Sequence, residues 1–112
     1  NLILVGTDTQ DMELAARTVA AAGGGLAVVS EGRVLASLAL PVAGLMSNED
    51  ADTVSRLHEE LHRAAQRIGC SLPSPFMTMS FLALPVIPEL RITDFGLVDV
   101  TKFEIVDLWK QK

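Results

Sequence analysis

The residues best placed to do chemistry are His58-Glu59-Glu60-Leu61-His62, an H-E-x-x-H run. In zinc proteases this spacing sets two imidazoles one helical turn apart on a Zn²⁺ ion, and the Glu activates a water. The chemistry also requires a third protein ligand. His58 and His62 are the only two histidines of the chain, and no downstream pattern marks an acidic residue as the third. Within a helix, His58 falls about 70° and His62 about 110° from the centre of the apolar stripe. The run therefore reads as the edge of an amphipathic helix, and neither residue is assigned to a metal.

Other short patterns fail for lack of context. Asp94-Phe95-Gly96 copies the metal-binding tripeptide of protein kinases, but the Gly-rich loop, strand lysine and catalytic loop that must accompany it are absent. It reads as a turn between strands. Gly23-Gly24-Gly25 leads from a helix into a strand, the reverse of a phosphate-binding loop, and serves as a helix stop. The Gly6-Thr7 turn has the right direction, but Asp8 and Asp11 place negative charge where an anion would sit. No G-x-S-x-G is present. Cys70 follows a helix stop without a base in view and reads as a small apolar filler. Arg91 and Lys102 stand apart, with no basic patch.

The bulk numbers bound the rest. A chain of 112 residues that is 49% hydrophobic is expected to form a single domain, 1–112, with one buried core. A net charge of −5 disfavours nucleic acid and anionic membrane surfaces. A single cysteine allows no internal disulfide and suits a reducing compartment. No apolar run approaches a membrane span, and Phe81 to Ile87 is broken by Pro85. Asn1-Leu2-Ile3-Leu4-Val5 offers neither an initiator Met nor a basic leader, which points to a piece of a longer polypeptide.

Positioning falls to the following elements. Leu2 to Val5 reads as a buried strand. Thr7, with Gln10 three residues on, matches a capping box, and Met12, Ala15, Ala16, Val19 and Ala22 fall on one helical face. Strands follow at Leu26 to Ser30 and Arg33 to Leu40, joined by a Glu31-Gly32 hairpin turn. Ser47 is a suitable N-cap for a helix that runs to Ile68 and stops at Gly69. Its apolar stripe is Val54, Leu57, Leu61, Ala64, Ala65 and Ile68. Phe76 to Leu84 fits strand or helix by periodicity, and the flanking prolines and the aromatics favour a strand; Glu89 to Thr93 and Lys102 to Val106 read as strands. The expected fold class is α+β: a mainly antiparallel sheet of about five to six strands with two main helices packed on it.

Two longer segments are more specific than any motif above. One runs from Gly24-Gly25-Leu26-Ala27-Val28-Val29 through Leu40-Pro41-Val42-Ala43-Gly44-Leu45-Met46-Ser47. The other is Pro75-Phe76-Met77-Thr78-Met79-Ser80-Phe81-Leu82-Ala83-Leu84-Pro85-Val86-Ile87-Pro88-Glu89-Leu90-Arg91-Ile92-Thr93, followed by Gly96-Leu97-Val98-Asp99-Val100. Together they resemble the C-terminal domain of microbial adenine deaminase, in the amidohydrolase superfamily. The resemblance spans nearly the whole chain and is weakest in the second helix and after Phe103. It implies a cytoplasmic purine-salvage hydrolase that converts adenine and water to hypoxanthine and ammonia. It also implies an upstream barrel of the same polypeptide holding two divalent metals, manganese or iron, through His and acidic ligands. No catalytic, cofactor-binding or metal residue carries over to this chain, whose role would be structural. Homo-oligomer formation stays open. Met46 and Met77 add adaptable apolar surface, and Val86 and Ile87 are stiffened by Pro85 and Pro88 and make poor free-standing loop material, so these four are candidate inter-domain contacts; the alternative is that the segment covers this domain's own core. The competing class is a stand-alone small α+β module that binds a ligand or regulates.

Overall fold

The computed structural model describes residues 1–109. Its elements are α1 (Thr9–Ala21), β1 (Gly25–Ser30), β2 (Arg33–Ala39), α2 (Ala51–Arg67), α3 (Pro75–Leu82), β3 (Leu90–Thr93), β4 (Gly96–Asp99) and β5 (Glu104–Val106). The fold is α+β with antiparallel pairing throughout. The strands make two sheets, β1-β2 and β3-β4-β5, where one was expected. The chain divides into two compact units, one Leu4–Pro75 and the other Asn1–Ile3 with the residues from Phe76 onward.

In the first unit, both α1 and α2 pack on the β1-β2 ribbon. An isolated two-strand hairpin is marginal in water, and the helices supply the missing apolar layer. Asp8, and not Thr7, caps α1: its Oδ1 accepts from the amides of Gln10 and Asp11, each at 2.9 Å. The helix ends in a Schellman motif. Gly23 N–H donates to Ala20 O, Gly24 N–H donates to Val19 O, and Gly23 sits at φ 74°. The β1–β2 turn places Glu31 at φ 54° and Gly32 at φ 70°, both left-handed, as a type I′ hairpin requires. Asp11 braces this turn from α1, accepting from Glu31 N at 3.0 Å and Gly32 N at 2.7 Å.

Asp50 caps α2, accepting from Thr53 N at 2.9 Å. Ser47, the residue the sequence favours, instead accepts from Glu49 N three residues before the cap. The Thr53 amide, followed by the Thr53 hydroxyl, holds the Asp50 carboxyl below its ordinary value of 3.8. The helix stops as expected at Gly69, with Cys70 N–H donating to Ala65 O and Gly69 N–H to Gln66 O. Leu61 and Ala64 are fully buried and Ala65 nearly so, beside buried Val28 and Leu38. Burying Leu61 contributes roughly 1.5–3 kcal/mol. Ile68, expected in the stripe, is exposed, since it is the C-cap and has left the helical path. The opposite face carries Arg56–Glu60 and Glu59–Arg63 ion pairs.

Two strand expectations fail. Leu2 to Val5 has no regular structure and pairs with neither sheet; Leu2 and Val5 are both exposed. Phe76 to Leu84 is not a strand, because α3 occupies Pro75–Leu82. Pro75 takes the first helical position, where its missing N–H is not needed and its φ is preset. Met and Leu then favour helix, and a short apolar run carries no period that separates helix from strand. In the second unit the β3-β4-β5 meander follows. β3 and β4 pair from Leu90↔Asp99 to Thr93↔Gly96, and β4 and β5 from Leu97↔Val106 to Asp99↔Glu104.

Candidate functional site

His58 and His62 sit on α2 with ring centroids 4.5 Å apart, tilted 47° to each other. His58 is exposed and His62 half-buried. Among the described residues no group of three or more His, Cys, Asp and Glu side chains comes together as a metal cage. Two imidazoles on one helix supply two of the four ligands a zinc site uses, and they do not fit a two-metal centre. Nor does a helix among the described residues have the length and apolarity to cross a membrane.

The remaining short motifs resolve into local structure. Asp94 and Phe95 form the turn between β3 and β4. Thr93 Oγ1 closes it by accepting from Phe95 N at 3.2 Å and donating to Gly96 O at 3.0 Å. Arg91 donates to the carbonyls of Leu90 and Pro88, and Lys102 pairs with Asp99 at 3.4 Å. Cys70 is a half-buried free thiol. Gly24 and Gly25 are packing positions: a Cβ on Gly24 would lie 2.5 Å from Gly44 Cα, and one on Gly25 would lie 2.2 Å from Leu38 O. A pocket of about 50 Å³ lies beside them, lined by residues of α1, β1 and β2 including Thr18, Leu26 and Ser37. Ligand sites usually run to about 300–1,000 Å³, so this one has room for solvent only.

Exposed apolar surface is the more prominent feature. Met46 and Met77 both face solvent, at 58% and 56% exposure. Val86 is 70% exposed, whereas Ile87 is half-buried. Leu84 O accepts from the amides of both Val86 and Ile87, which ties the Pro85–Pro88 loop into a tight turn. Leu45 was absent from the expected set, although it is 78% exposed. It belongs to a small hairpin tip in which Val42 N donates to Met46 O, and the amides of Leu45 and Met46 both donate to Val42 O, each at 3.1 Å. Ala43 and Gly44 at its apex have φ 58° and 72°. For alanine that conformation costs about 1–2 kcal/mol. Phe95 and Phe103 are also exposed.

The adenine deaminase C-terminal domain matches residues 1–104. The chain belongs to this family. Among its relatives, the adenine deaminase of Moorella thermoacetica is 53% identical over 108 residues, covering 96% of this chain and 18% of the relative. That of Methanococcoides burtonii is 51% identical over 106 residues, covering 95% and 18%. That of Clostridium botulinum is 46% identical over all 112 residues and 19% of its own length. The chain thus spans under a fifth of the relatives it matches.

Proposed function

We propose that this chain is the C-terminal domain of a polypeptide that hydrolyses adenine to hypoxanthine and ammonia, serving purine salvage in the cytoplasm. The observation that carries the reading is the family match over residues 1–104, joined to relatives named adenine deaminase that are more than five times as long. In this reading an upstream barrel of the amidohydrolase type binds adenine and two divalent metals, manganese or iron, whose chemistry when bound is to make water nucleophilic towards the purine ring. This domain supplies no ligand and acts by docking. Exposed Met46 serves docking in the Leu4–Pro75 unit, and exposed Met77, exposed Val86 and half-buried Ile87 serve it in the other unit. The proline-stiffened turn that carries Val86 and Ile87 would lose little backbone entropy on docking.

The test is an activity comparison. The 112-residue chain and the full-length polypeptide are each given excess Mn²⁺, and adenine absorbance is followed. Turnover is expected from the full-length protein only. Metal-dependent turnover by the purified chain alone would overturn the non-catalytic assignment, and no turnover by either would overturn the activity.

A further inference from the structure

We propose that the Val42–Met46 hairpin tip is a rigid docking element, with Leu45 next to its apex seated in an apolar hollow of the polypeptide upstream of residue 1. The inference rests on the docking reading above and names the element that performs it in the Leu4–Pro75 unit. Three observations converge on this tip.

The first is composition. Val42, Leu45 and Met46 all face solvent within five residues, in a loop where polar turn residues would ordinarily sit. The second is backbone order. Val42 and Met46 exchange two hydrogen bonds and Leu45 N donates to Val42 O, which fixes the tip, and Ala43 is held in the left-handed region to make the turn. Strained residues of this kind persist where surrounding structure over-determines them, and they cluster at ligand clamps. The third is anchoring. Leu40 N donates to Gly24 O at 2.9 Å, and Gly24 lies so close to Gly44 that even a methyl group between them is excluded. The tip is therefore fastened to the end of α1 and the start of β1. A floppy apolar loop could fold its side chains back onto its own unit; this one holds Leu45 out. A preorganised apolar knob loses little entropy when it enters a complementary hollow.

The upstream polypeptide is favoured as the occupant by chain length. The matched relatives carry this domain as 18–19% of their sequence, which leaves most of each polypeptide tethered to it. A tethered surface acts at an effective concentration in the millimolar range, which an untethered copy does not reach.

The experiment is thiol labelling of the native full-length polypeptide, resolved by peptide mass spectrometry. Leu45→Cys reports the tip and Val86→Cys reports the other patch. Each rate is referred to the same variant unfolded in urea, and circular dichroism and a melt establish folding. If Leu45→Cys does not fold, Met46→Cys replaces it on the same turn. Labelling of the tip at least about ten-fold slower than in the unfolded chain is the expected result, since a docked thiol reacts only through local opening. A smaller slowing at the tip overturns the inference; if Val86→Cys is protected at the same time, the docking reading survives without it, and if neither is protected both fall. Protection that disappears on dilution assigns the tip to a second copy and also overturns the inference.

Discussion

Replacing Asp11 by Ala tests how the hairpin is braced. The Asp11 carboxylate accepts from the amides of Glu31 and Gly32, at 3.0 and 2.7 Å, across separations of 20 and 21 residues in sequence. Both donors belong to a turn whose residues are held at positive φ, so the carboxylate satisfies the two amides that face away from the ribbon. A hydrogen bond to a charged group contributes about 1.5–3 kcal/mol when buried. Asp11 is only half-buried, so the pair together is worth about 1–2 kcal/mol once solvent competition is allowed for. For a chain of this size that corresponds to a fall in Tm of about 4–8 °C. Asp11→Asn keeps one acceptor oxygen and should fall between wild type and Asp11→Ala. Thermal melts give the magnitude, and amide hydrogen exchange gives the location: Glu31 and Gly32 should lose protection before the helices do. A melt unchanged within 1 °C, with those two amides exchanging as in wild type, would refute the brace.

Two further outcomes follow from backbone and charge. In urea titrations, Gly25→Ala should destabilise by about 3 kcal/mol or more, since its Cβ would sit 2.2 Å from Leu38 O at φ +145°; Gly32→Ala, with open space at its Cβ, should cost no more than about 1–2 kcal/mol. The Asp50 cap should fail in acid. Its carboxyl is depressed below 3.8 by Thr53, so the contribution is complete above that pH and lost as pH falls through the lower folded value. The advantage of wild type over Asp50→Asn in pH-dependent melts should shrink in that window and stay constant above it.

Legibility in the sequence followed how strongly each element declares its period. The second helix carries a seventeen-residue pattern and a glycine stop, and its buried stripe was readable except at Ile68. The Glu31-Gly32 turn was readable because only a narrow set of residues tolerates two left-handed positions. Pro75–Leu82 was not, since an eight-residue, mostly apolar helix shows no distinct polar and apolar faces. The Gly96–Asp99 strand is masked in the sequence because it begins inside a tripeptide that reads as a turn. The edge position of His58 and His62 on α2 followed from helical spacing. The Val42–Met46 tip was hidden because exposure of an apolar residue depends on packing between distant segments, here Gly24 against Gly44.

The route of the chain has a consequence for dissection. Asn1–Ile3 clusters with the residues from Phe76 onward, and Leu4–Pro75 forms its own unit between them. In linear terms the larger unit is an insert within the smaller one, spliced at Ile3/Leu4 and Pro75/Phe76. A single cut after Pro75 therefore does not yield two clean halves, because one piece would retain three residues that belong with the other. Any polypeptide joined ahead of Asn1 would enter through the smaller unit first, although most of the residues that follow it build the larger one.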